Sequence, residues 1–82
     1  MVLPVEAQHG NARFWTTFLE NRSAGFAGVR LHREISGANS VAAEIVFWDA
    51  DGQFYVKTFD GDIPLAIMEA LISEAKDTIK TS

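Results

Sequence analysis

The sequence predicts an α+β domain: a three-stranded antiparallel meander, a long C-terminal helix across one of its faces, and a short aromatic helix (or a fourth strand) near the N-terminus. Three observations carry this expectation. From Phe26 onward apolar residues recur at every second position, the period of a half-buried strand. Asp51-Gly52 stands between two such runs, and that dipeptide is among the strongest short hairpin signals because both residues tolerate positive φ. After Pro64 the period lengthens to that of a helix, with Leu65, Met68, Leu71, Ile72, Ala75 and Ile79 on one stripe.

Eighty-two residues are enough for one domain and too few for two. Residues 1–10 hold a proline, a glycine and mixed polar residues without periodicity, and read as a flexible arm; residues 11–82 read as the single domain. Within Asn11 to Arg22 the apolar positions Phe14, Trp15, Phe18 and Leu19 fit one helix face, which favours a helix. Three aromatics and the Thr16-Thr17 pair have strand propensity, so a strand stays open as the alternative.

The first expected strand begins at Phe26. Ala27, Val29, Leu31 and Ile35 face a core, while Gly28, Arg30, His32 and Glu34 face water. Arg33 falls on the core side, where its stem can cover apolar surface while the guanidinium reaches solvent. Ser36 to Ser40 is turn chemistry, followed by strands at Val41–Asp49 and Gln53–Phe59. Two registers compete across the second hairpin. A two-residue turn pairs Trp48 with Tyr55 and segregates an apolar face (Val41, Ala43, Ile45, Phe47, Phe54, Val56) from an amphipathic one (Glu44, Val46, Trp48, Tyr55, Lys57, Phe59). A three-residue loop pairs Trp48 with Phe54 and mixes Lys57 into the apolar set, so patterning favours the first. Asp62 is placed to cap the final helix, and Pro64 to occupy its first turn.

The charge balance disfavours nucleic acid. Seven basic against eleven acidic residues give −4, which repels a phosphate backbone. Through Val41 four basic residues meet three acidic ones, +1, and beyond it three meet eight, −5, so the acidity lies in the second half. With no cysteine, disulfides, thiolate zinc sites and thiol nucleophiles are excluded. Met1 to Val5 lacks the pattern of a signal peptide, and no apolar run reaches the roughly 20 residues of a bilayer span. A cytoplasmic protein that does not engage membranes is expected.

No catalytic residue, metal ligand or cofactor site is expected. Asp49 and Asp51, with Asp60 and Asp62, suggest a calcium loop, but Phe54 stands where such a loop needs glycine, and six extended residues hold the pairs roughly 20 Å apart. These aspartates read as turn and cap residues. His9 and His32 lack partners at ligand spacing, and none of Ser23, Ser36, Ser40 and Ser73 sits in a nucleophile elbow.

The amphipathic sheet face is the candidate site. Either the aromatic segment Phe14-Trp15-Phe18-Leu19 covers this face as a second small core, or Val46, Trp48, Tyr55, Lys57 and Phe59 bind a protein partner or a second copy of the chain, as a homodimer, because large aromatic patches mark interfaces. Arg30, His32 and Lys57 beside these aromatics sketch the alternative, a nucleic-acid platform. The expected order of helix, three strands and helix is similar to that of double-stranded-RNA-binding domains. Those domains open their last helix with lysines, where this chain has Ile63-Pro64-Leu65-Ala66-Ile67, so the resemblance implies topology and not RNA binding. The sequence therefore points to a small, acidic, non-enzymatic interaction or regulatory module.

Overall fold

The computed structural model describes residues 6–59 and 61–79. The architecture is α+β, with an antiparallel sheet and one C-terminal helix, but the sheet has five strands and not three. In chain order these are β1 (Glu6–His9), β2 (Ala12–Asn21), β3 (Phe26–Ile35), β4 (Ala38–Trp48) and β5 (Gln53–Thr58), followed by α1 (Leu65–Thr78). Spatial order equals chain order, and every neighbouring pair is antiparallel.

The expected N-terminal helix is a strand. β2 pairs with β3 along its full length, from Ala12 opposite Ile35 to Asn21 opposite Phe26. A ten-residue ladder together with β-branched and aromatic side chains outweighs a helical spacing that rested on four positions. Part of the expected arm is also ordered strand: β1 pairs with β2 from Glu6 opposite Trp15 to His9 opposite Ala12, and the rest, residues 1–5, lies outside the described residues. With two strands in place of the first helix, the topological likeness to double-stranded-RNA-binding domains lapses.

The β2–β3 and β4–β5 hairpins share one loop design. Each has four loop residues ending in a glycine with positive φ, Gly25 at 77° and Gly52 at 66°. Each glycine amide donates to the last residue of the preceding strand, Asn21 and Trp48 respectively, at 2.9 Å. The longer loop corrects both expected registers: Trp48 lies opposite Gln53, Phe47 opposite Phe54 and Val46 opposite Tyr55. That is two residues from the favoured alignment. An even displacement leaves the side chains of this hairpin on their expected faces, except Val41, which the β3–β4 irregularity at Leu31/His32 turns to the opposite side.

The helix lies over β3 and β4. Beneath it Phe14, Val29, Leu31, Ile45 and Phe47 pack against Ile67, Leu71, Ala75 and Ile79. Phe14, Leu31, Leu71 and Val29 are the largest side chains removed from solvent, and this layer holds the fold together. The helix stripe is rotated from the expected one: Leu65 is 72% exposed, whereas Ile67 and Glu74 are buried. The Glu74 carboxylate accepts a hydrogen bond from Thr16 Oγ1, 2.9 Å from each oxygen, tying the helix to β2.

Two further expectations change at the helix entry. Asp62 does not cap; Pro64 is the N-cap residue, and among the described residues no side-chain hydrogen bond caps the helix. Arg33 does not reach solvent. It is buried, and its Nη1 donates to the Asp62 carbonyl at 3.1 Å, pinning the loop ahead of the helix to β3. Asp60, placed by the sequence in a turn, lies outside the described residues.

Candidate functional site on the open sheet face

Strand alternation sends Val29, Leu31, Ile45 and Phe47 toward the helix and their neighbours to the opposite side, which no described element covers. Ladder registers arrange that open face in rows. Leu19, Gly28, Val46 and Tyr55 form one, and Asn21, Phe26, Trp48 and Gln53 the next. Thr17, Arg30, Glu44 and Lys57 form a polar belt beside them, followed by Glu6, Trp15, His32 and Val41.

The two apolar rows make a continuous patch. The Phe26 and Trp48 rings stand opposite each other with centroids 4.9 Å apart and planes tilted by 50°, a favourable aromatic geometry. Val46 is buried between its neighbours, and Tyr55 is 42% exposed. Gly28 keeps the floor flat: a Cβ there would sit 2.8 Å from the Ile45 carbonyl oxygen. Trp48, Tyr55 and Lys57 border a shallow depression of about 430 Å³ with Ala50, Asp51 and Val56. The Tyr55 hydroxyl donates to the Asp51 carboxylate, and that bond, reinforced by the carboxylate's charge, raises the phenol's pKa above its ordinary value. Asp51 also accepts the Gln53 amide at 3.2 Å, so its carboxylate shapes both the turn and the wall of the depression.

Of the expected protein-binding residues, Val46, Trp48, Tyr55 and Lys57 thus share one surface. Phe59 lies one residue beyond β5, 54% exposed, and does not border the depression. Trp48 and Tyr55 are diagonal neighbours and not a direct pair.

The expected nucleic-acid set is largely engaged within the protein. Arg30 Nε bonds Glu44 Oε2 at 2.6 Å, and Lys57 sits opposite the same glutamate. His32 stacks on Trp15, centroids 5.4 Å apart and planes 11° from parallel, and its Nε2 lies 2.9 Å from Thr17 Oγ1. Partial burial, and then the charge of Arg30, lowers the His32 pKa below its ordinary value. The imidazole is accordingly neutral near pH 7.

Sequence reasoning missed Trp15, Leu19 and Phe26 as parts of this face. Reading residues 12–21 as alternating would have found the first two, because Trp15, Thr17 and Leu19 interleave with Phe14, Thr16 and Phe18. A second concavity, about 480 Å³, opens on the helix side between Phe18, Phe47 and Ile79 with Glu20, Arg22 and Asp49 at its edge. Among the described residues no group of three or more histidine or carboxylate side chains comes together, and no helix is long and apolar enough to cross a membrane. No protein-family model, curated protein or solved structure matches the chain.

Proposed function

We propose that the protein is a small acidic interaction module, without catalytic chemistry of its own, that receives another polypeptide on its open sheet face. The supporting observation is the one-sided sheet: Val46, Trp48 and Tyr55, joined by Leu19 and Phe26, form an apolar patch on the side away from the helix. An apolar body flanked by a polar belt is the composition of a protein interface. Trp48 and Tyr55 are the anchors, and Lys57 borders them. The cysteine-free composition suits a reducing compartment such as the cytoplasm.

A nucleic-acid surface is the second reading, favoured by the Arg13, Trp15 and His32 stack, with Arg13 5.2 Å from the Trp15 ring centre. Its charge argues against it. The cations Arg13, Arg30 and Lys57 share the face with Glu6, Glu34 and Glu44, and Arg13 and Arg30 are each within ion-pair distance of a glutamate. Few counterions remain to be released from a phosphate backbone.

The test is capture of proteins from a lysate by the immobilised full chain, compared with Trp48→Ala/Tyr55→Ala, with an RNA and single-stranded DNA titration at low salt alongside. A protein held by the wild type and lost with the folded double variant supports the reading. Retention of that protein by the variant overturns the site, and salt-sensitive oligonucleotide binding with no protein captured moves the function to the second reading.

A further inference from the structure

We infer that the outer edge of β5 pairs with β5 of a second copy, antiparallel and centred on Val56, joining two sheets into one. This names an occupant for a surface next to the open face, and it rests on the reading of the chain as an interaction module.

Two hydrogen bonds fix which backbone groups of β5 point outward. The Asp49 amide donates to the Gly25 carbonyl, so Phe47, Ile45 and Ala43 turn their backbone groups toward β3, and Trp48, Val46 and Glu44 turn theirs toward β5. The Phe59 amide donates to the Ala42 carbonyl, which makes the same assignment from the other strand: Gln53, Tyr55 and Lys57 bond inward. The amides and carbonyls of Phe54, Val56 and Thr58 therefore face away from the sheet.

The two sheet edges differ in their protection. Among the described residues β1 has four, of which Glu6, Gln8 and His9 are polar, a hydrophilic edge of the kind that resists pairing. β5 has six, with Val56 53% exposed and Tyr55 beside it, and a single charge, Lys57. Unpaired backbone groups flanked by exposed apolar side chains are a template for another strand.

Three symmetric registers set at least two outward-facing residues of each β5 opposite one another, as bond exchange requires. Centring on Lys57 opposes two lysines, which repel. Centring on Tyr55 sets tyrosine against tyrosine and leaves Lys57 opposite Gln53. Centring on Val56 pairs Val56 with its twin and Phe54 with Thr58 on the helix side, and places Lys57 of each copy against Tyr55 of the other. There the ammonium meets both the aromatic ring and the Asp51 carboxylate, which binds the Tyr55 hydroxyl and borders the same depression. The contact is self-complementary, as a two-fold interface requires. It is also small for a stable interface, so the dimer is concentration-dependent, with a dissociation constant of about micromolar order.

Sedimentation velocity on the full chain, from about one micromolar to about one millimolar, tests the pairing. Wild type shifts from monomer to dimer. Val56→Pro removes an amide that makes no bond within the sheet, and it raises the dissociation constant at least about tenfold while the fold persists; Lys57→Glu does the same by opposing charge. The chain lacks cysteine, so single-cysteine variants report the register. Val56→Cys cross-links between copies on mild oxidation, since directly opposed residues lie about 5.5 Å apart. Thr58→Cys does not, because its twin is about 13 Å away along the ladder. A wild type that stays monomeric throughout, a dimer indifferent to both substitutions, or equal cross-linking at positions 56 and 58 overturns the β5 pairing. Each of these leaves the open-face reading to its own capture test, where the side chains are Trp48 and Tyr55 and the ligand is a different protein.

Discussion

Arg30 Nε and Glu44 Oε2 lie 2.6 Å apart across β3 and β4, in the belt that separates the Trp48 patch from the Trp15–His32 stack. The glutamate side chain is 12% exposed and the arginine 40%, so the carboxylate depends on this partner more than the guanidinium does. The pair also withholds a cation from any phosphate. Glu44→Gln keeps the shape and removes the countercharge. It is expected to lower unfolding free energy by about 1–2 kcal/mol in urea melts, a value discounted for the arginine's exposure. It should also raise low-salt affinity for a single-stranded oligonucleotide above that of wild type. Unchanged stability together with unchanged oligonucleotide binding would show that the pair governs neither property.

Gly28 of β3 lies opposite Val46 of β4, with no room for a side chain between the strands. Its missing Cβ would stand 2.8 Å from the Ile45 carbonyl oxygen and 3.2 Å from Val46 Cγ2, and the first of these is backbone. Gly28→Ala must therefore separate the strands or shift β4, at a cost of about 1–3 kcal/mol, measured by chemical denaturation. A stabilised variant, as a more helix- or strand-compatible residue can produce at an unstrained site, would mean that the two strands are not held this closely.

His32 makes stability pH-dependent. Its folded pKa lies below its unfolded one, so on acidification the unfolded chain takes up the proton first. Stability from this residue is present above the ordinary imidazole pKa of about 6.5 and is lost as pH falls through and below it. Thermal melts between about pH 8 and pH 5 should show a decline that is shallower in His32→Gln. Identical slopes for the two proteins would place the acid sensitivity elsewhere.

The sequence made β3, the β4–β5 hairpin and the helix legible because each carries one dominant period and a local stop signal. β2 was obscured by its own chemistry. Both of its faces carry large apolar groups, Phe14 and Phe18 toward the helix and Trp15 and Leu19 on the open side, so the alternation that marks a strand is blurred into a spacing that a helix also satisfies. The open face survived an error in register because the four-residue loop displaced the pairing by two, which preserves sidedness. What local pattern could not give were choices made by tertiary contacts. Arg33 binding the Asp62 carbonyl, Glu74 facing Thr16, and Leu65 yielding its place to Ile67 all depend on where the helix rests on the sheet.

Urea unfolding of Trp48→Ala/Tyr55→Ala beside Leu71→Ala decides whether Trp48 and Tyr55 belong to a surface the fold does not need. Leu71 is wholly buried on the side of α1 that faces the sheet, and its truncation should cost about 2–5 kcal/mol. The double variant loses chiefly the Phe26–Trp48 ring contact and should cost less than about 1.5 kcal/mol with an unchanged denaturant slope. A loss as large as that of Leu71→Ala would make the open face a second core and contradict its assignment as a binding surface.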